Sequence, residues 1–221
     1  MTIHDLKALL PWANLDEWHQ HPNGGGWVEN TASVDDTVCV GANAMVHEKA
    51  VVRDTVIIND HARISGNAIV SNRVMIEDYA QIFDYACVGG SARVGGYAML
   101  SDTAQLFGTA CALDHSAISG KTKVFGKSRL FGMTHLTDGE WPKSPLQIQG
   151  THCFMHIDGP GGSLLCVDTE RHPYIWWLQY GEQSFIARGM DAKQVEEYLA
   201  YVRLAARLYD NPQEVATCPI S

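Results

Sequence analysis

The chain has no apolar run approaching the roughly 18 residues that a membrane-spanning helix requires, no CxxC pair and no surplus of basic charge. The first absence predicts a protein that does not cross a membrane. Its opening MTIHDLKALL also lacks the basic start, long apolar stretch and small-residue cleavage site of a secretory leader. The six cysteines stand far apart, at 39, 87, 111, 153, 166 and 218, a pattern of reduced thiols rather than a disulfide framework, so a cytoplasmic protein is expected. The net charge of −9 divides into −3 for residues 1–30, −2 for 31–138 and −4 for 139–221. An acidic balance of that kind argues against direct nucleic-acid binding. No GxxxxGK[ST], GxGxxG or GxSxG occurs, which removes the support for P-loop, dinucleotide and esterase-type chemistry.

What the sequence has instead is a repeat. Cut in sixes from Thr31, it runs TASVDD, TVCVGA, NAMVHE, KAVVRD and onward without insertion to MTHLTD at Asp138, eighteen hexads in all. The fourth position is Val, Ile or Leu in seventeen of them, Ala112 being the exception, and the second is always Ala, Val, Ser or Thr. Two positions apart means one face of a short strand, so a large and a small side chain point inward together. The sixth position is Gly, Asp, Asn, Glu or Ala, mostly residues that tolerate a tight corner.

This pattern resembles the hexapeptide-repeat superfamily of left-handed parallel β-helices, whose members include acyltransferases. The resemblance implies a mainly β fold in which three hexads make one triangular coil, hence about six coils over 31–138. At about 4.8 Å per coil the prism would stand roughly 29 Å tall. It also implies a homotrimer that places its ligands in clefts between subunits.

Two flanks complete the chain. Residues 1–30 hold an amphipathic stretch around Leu6, Leu9, Leu10, Trp12, Leu15 and Trp18, broken by Pro11, and suit an N-terminal cap with Trp27 over the mouth of the prism. Residues 139–221 are expected to form a small α+β appendage: apolar strand-like runs at LQIQGTHCFMHI, GGSLLCVDT, PYIWWLQY and SFIARGM, then a helix that Asp191 can N-cap. The segment HPYIWWLQYGE and the closing helix resemble tails of hexapeptide-repeat proteins of phages and prophages. That likeness would place the protein in a host cytoplasm, where sequestering a host signalling nucleotide is one role open to it.

Positions eighteen apart stack on the outside of such a prism, which turns the sequence into a surface map. One column reads Asn43, His61, Tyr79, Tyr97, His115, Met133, an aromatic–histidine ladder suited to a subunit contact, to the wall of a ligand cleft, or to both. The last coil carries Lys121, Lys123, Lys127 and Arg129 beside Phe125 and Phe131, with Phe107 one coil below Phe125. Cations beside aromatic faces suit a small anionic, nucleotide-like or coenzyme A-like ligand, although a solvated charged face looks the same in sequence.

In acyltransferases of the resembled family a histidine deprotonates the acceptor, and coenzyme A or acetyl-CoA supplies the acyl group. The repeat offers His47, His61, His115 and His135; His115 is preferred because it stands on the ladder near the basic coil, and His135 follows. The resemblance does not imply a catalytic loop here, because the repeat never breaks. A non-catalytic ligand binder is therefore the first expectation and an acyltransferase the second. A protein-binding scaffold or acidic mimic is the third. No metal site is expected: His152, His156, Cys166 and His172 match no ligand spacing.

Overall fold

The computed structural model describes residues 1–145, 147–149, 153–157, 164–167 and 170–209. The chain divides into two compact units, Met1–Pro145 and Leu146–Ser221.

In the first unit every hexad contributes a two-residue strand from its third and fourth positions. Strands eighteen residues apart pair in parallel, as Met75 opposite Arg93 and Ile76 opposite Val94, and this sorts them into three faces. The first face carries Cys39–Val40, Ile57–Ile58, Met75–Ile76, Arg93–Val94, Cys111–Ala112 and Arg129–Leu130. The second runs from Trp27–Glu29 through Met45–Val46, Arg63–Ile64, Gln81–Ile82, Met99–Leu100 and Ala117–Ile118 to His135–Leu136. The third runs from Ser33–Val34 to Lys123–Val124 and ends on Glu140–Trp141. The unit is a three-sided parallel β-solenoid of about six turns, as the six-residue period predicts.

The alternation accounts for its core. Fourth positions such as Val40, Ile58, Ile76, Ile82 and Leu100 and second positions such as Ala44, Ala62, Ala80 and Ala98 are fully buried together. Pairing a large with a small residue fills a triangular cross-section that two large ones would overfill. Towards the C-terminal end the small position turns polar, with Ser116, Thr122, Ser128 and Thr134 all buried. Ser128 donates to the Trp141 carbonyl at 2.8 Å and Thr134 to that of Phe131 at 2.7 Å. The hydroxyls of Ser116 and Thr122 have no partner among the described residues, a cost of about 1–3 kcal/mol each.

Corners close each hexad. From Glu48 to Gly132 every sixth position has a positive φ, between 54° and 76°, whether or not it is glycine. Asp and Asn tolerate this conformation better than other side chains, and here they also use their side chains. Asp102 Oδ2 accepts the N–H of Gly120, one coil above, at 2.9 Å, and Asp78 and Asp114 do the same for Gly96 and Gly132. Asp54 serves Asn72, whose own side chain serves Gly90. Each bond satisfies a corner N–H that the strand ladder leaves over.

The period extends past both expected limits. GGWVEN, residues 25–30, is an earlier hexad: Trp27 and Val28 pair with Met45 and Val46, and Val28 enters the core. Its second position is Gly26, where a Cβ would lie 2.4 Å from the Gly41 carbonyl oxygen. Trp27 is thus a third-position residue and points outward. Instead of covering the mouth of the prism it packs with Leu6, Leu10, Ala13, Trp18 and Met45 on the outside of the second face. The N-terminal segment begins with helix α1 (Ile3–Leu9), closed by a capping box between Thr2 and Asp5. At the other end Glu140–Trp141 pairs with Lys123–Val124 at an offset of seventeen, one residue short, which is why the frame seems lost after Asp138.

The second unit has antiparallel strands Gln147–Gln149, Cys153–Ile157, Leu164–Val167 and Glu170–Pro173, then α2 (Tyr174–Ala187) and α3 (Ala192–Tyr209). The strands expected at PYIWWLQY and SFIARGM are instead the single helix α2. Tyr174, Trp177, Gly181 and Phe185 fall on one helical face and are buried, and Gly181 admits Leu199 of α3 at 3.4 Å from where a Cβ would stand. Helix α3 starts as expected at Asp191, whose side chain and that of Gln194 bond each other's backbone N–H.

Two substitutions test this account in chemical denaturation. Asp102→Ala, which loses both the acceptor and the tolerance of positive φ, should lower stability by about 1–2 kcal/mol, with Asp102→Asn recovering most of it. Ser116→Ala should instead raise stability, by about 1 kcal/mol, because it removes a buried hydroxyl with no partner among the described residues; a loss of that size would contradict the packing described.

Candidate functional site

The ladder column lies at the corner between the first and second faces. His61, Tyr79, Tyr97 and His115 form a continuous stack, with ring centroids 4.9, 5.0 and 4.9 Å apart and interplanar angles of 8°, 4° and 15°. The spacing is that of the coils themselves, about 4.8 Å, so the backbone repeat holds the rings in register. Tyr79 and Tyr97 are about half exposed, at 47% and 53%, and Met133 above them is 62% exposed. The inner faces of the rings are turned to one another, which leaves outward edges and the two end rings to meet a partner. Exposed Ile57 and Met75 on the first face and Met99 on the second lie on either side.

The basic coil is spread out by the same geometry. Lys121 precedes the third face, Lys123 stands on it, Lys127 precedes the first face and Arg129 stands on that one. Lys123 is paired with Glu140 at 2.9 Å. Arg129 makes no ion pair with a described residue, and it leads directly to Phe131 and Met133 at the top of the ladder corner. Phe107 and Phe125 belong to the corner after the third face, above Gly89, where a Cβ would come within 2.7 Å of the Phe107 ring. The structure therefore brings Tyr79, Tyr97, His115, Phe131 and Arg129 to one corner region. Lys121, Lys123, Phe107 and Phe125 lie round the prism from it.

His135 stands on the second face directly over Ala117, and its Nε2 lies 3.4 Å from Ser119 Oγ. His115 and His135 thus occupy a corner and an adjoining face of neighbouring turns. In the second unit His172 stacks on Trp176 at 3.6 Å and His152 lies outside the described residues. Among the described residues no group of three His, Cys, Asp or Glu side chains is placed to hold a metal, and no described helix is long and apolar enough to cross a membrane.

A further site involves His47, which sequence arguments ranked below His115. It is 7% exposed, wedged beside Trp18 (ring centroids 5.7 Å) and Trp12 (6.3 Å) where the N-terminal segment lies on the second face. Its Nδ1 is buried with no hydrogen bond to a described residue, 3.9 Å from Glu48 Oε1. Burial pushes its pKa below the ordinary histidine value; the Glu48 and Glu29 carboxylates pull the other way, and Arg63 adds to the lowering. A groove of about 340 Å³ opens beside it, lined also by Arg63, Gln81 and Phe83. Nothing local in the sequence announces this, because the two tryptophans come from some thirty residues upstream.

No protein-family model matches the chain, and neither a curated protein nor a solved structure matches it.

The state of His47 gives a pH dependence with a defined sign. Because its folded pKa is lowered, the unfolded chain binds the extra proton first as pH falls. The stability due to neutral His47 is complete above about pH 6.5 and declines below it until the folded value is passed. In urea titrations the advantage of the wild type over His47→Gln should therefore shrink on acidification below about pH 6.5. A difference that stays constant from neutral to mildly acidic pH would rule this out.

Proposed function

We propose that the protein is a self-associating β-solenoid, a homotrimer, that binds a small anionic, nucleotide-like ligand where copies meet, without turning it over. The observation that carries this is the exposed four-ring stack at one corner, with Arg129, which has no ion pair among the described residues, on the adjoining face. A flat stripe of ring edges flanked by Ile57, Met75 and Met99 has more apolar surface than an isolated corner needs, and pairing it with another copy removes that surface from water. Arg129 and Phe131 at the upper end would then offer a phosphate partner and an aromatic surface at the mouth of such a cleft. The six-residue repeat, which resembles the hexapeptide-repeat superfamily, supports the trimer; the tail's likeness to phage proteins supports sequestration of a host nucleotide.

A second reading is an acyltransferase using coenzyme A, with His115 or His135 as general base. What favours it is the His135–Ser119 contact, which holds an imidazole beside a hydroxyl on the face next to the ladder.

Sedimentation and calorimetry distinguish the two. The first reading expects a trimer that dissociates when Tyr97→Ala and Tyr79→Ala are combined. It also expects nucleotide binding that Arg129→Glu weakens at least tenfold, about 1.4 kcal/mol, with no thioester hydrolysis or transfer. Absence of stabilisation by any nucleotide would sink it. Turnover of acetyl-CoA that collapses in His115→Ala or His135→Ala would replace it with the second.

A further inference from the structure

The groove beside His47 stands at a different corner from the aromatic stack, the one that follows the second face, and its wall is built from two sources. Leu10 of the N-terminal segment forms one side, and the second face with its corner forms the other. The groove has three features that a merely solvated crease would not combine.

First, Arg63 lines it, half-buried, and its guanidinium makes no ion pair or hydrogen bond with any described residue. A guanidinium drawn partly out of water without a counter-ion favours an incoming anion. Second, two carboxylates line it and each is only half engaged. Glu48 uses Oε2 for the Gly66 N–H at 2.5 Å, and Asp84 uses Oδ2 for the Asp102 N–H at 3.2 Å. Each therefore keeps an oxygen for a donor. Third, His47 in the wall is more than nine-tenths buried, so the charged groups stand beside packed surface rather than open solvent. The apolar surfaces of Leu10 and Phe83 complete the lining.

Charge decides the ligand class. With His47 neutral, one cation faces two anions, so the lining carries a net charge of −1. A polyphosphate would meet Arg63 and be repelled by Glu48 and Asp84, and a simple cation would leave Arg63 unanswered. A molecule with one carboxylate and one ammonium matches both, and an apolar side chain on it would rest against Leu10 and Phe83. The volume of about 340 Å³ suits a molecule of that size.

We propose that this groove is a binding site for a zwitterionic amino acid with an apolar side chain, separate from the nucleotide-like ligand inferred for the ladder corner. The carboxylate is met by Arg63 and the Gln81 amide, and the ammonium by a free oxygen of Glu48 or Asp84.

The test is calorimetry on the full chain with L-leucine, L-methionine and L-phenylalanine, each beside its N-acetyl and its amide derivative. At least one free amino acid should bind saturably, and both blocked forms, which lose one charge each, should bind at least tenfold more weakly. Arg63→Gln should erase the preference for the free acid over the amide, while nucleotide binding stays as in the wild type. Glu48→Gln and Asp84→Asn keep the corner acceptors, so the fold is retained; one of them should erase the preference for the free amine over the N-acetyl form. If none of the three amino acids binds saturably, or the blocked forms bind as well as the free ones, the proposal is wrong. Arg63→Gln that folds normally and still distinguishes acid from amide also overturns it.

Discussion

The solenoid of the first unit follows from one hydrogen-bonding rule: a strand N–H donates to the carbonyl seventeen residues ahead, as Ser33 to Ala50, Arg63 to Ala80 and Lys123 to Gly139 in the slightly shortened last turn. A chain that obeys this rule must complete a turn in about eighteen residues and turn three corners in doing so. The corners need a left-handed backbone conformation, and an Asp, Asn or Gly at the sixth position provides it at low cost. Asp and Asn add an acceptor for the corner N–H above. The strands and the corners therefore satisfy complementary halves of the backbone polar groups, and neither would hold without the other.

The same rule arranges the outer surface. Side chains eighteen apart are forced to within a coil rise of each other, so His61, Tyr79, Tyr97 and His115 must stack and their spacing is not theirs to choose. Residues close in sequence but in different hexads are sent to different faces instead. Lys121, Lys123, Lys127 and Arg129 look like one cluster in the sequence, yet the coil distributes them around its perimeter and Glu140 meets one of them. The two candidate binding regions consequently differ in origin. The ladder corner is made by repetition of a single column, whereas the His47 groove exists only because a non-repeating N-terminal segment docks against the repeat.

The fold was legible because its signal was repeated eighteen times and each repeat was locally complete: an inward pair of side chains and a corner residue. The structure departs from expectation where the signal appears only once. The hexad at 25–30 breaks the pattern because Gly26 replaces the usual small residue, for a steric reason visible only when Gly41 of the next turn is in place. The second unit's YIWWLQYGEQSFIA resembled strands, being rich in aromatic and β-branched residues, and became helix because its apolar positions face α3. Here tertiary burial overrode local propensity.

By itself, then, the sequence determined the prism: its number of turns, its core, its corners and the columns on its exterior. Each of these depends on residues related by a constant offset along the chain, which periodicity records directly. Only the tertiary structure decided where Trp27 points, which basic side chains share a surface with the ladder, and that His47 is buried between tryptophans beside Arg63. Those relations join residues with no common offset, and they arise from packing between segments that the chain brings together only once.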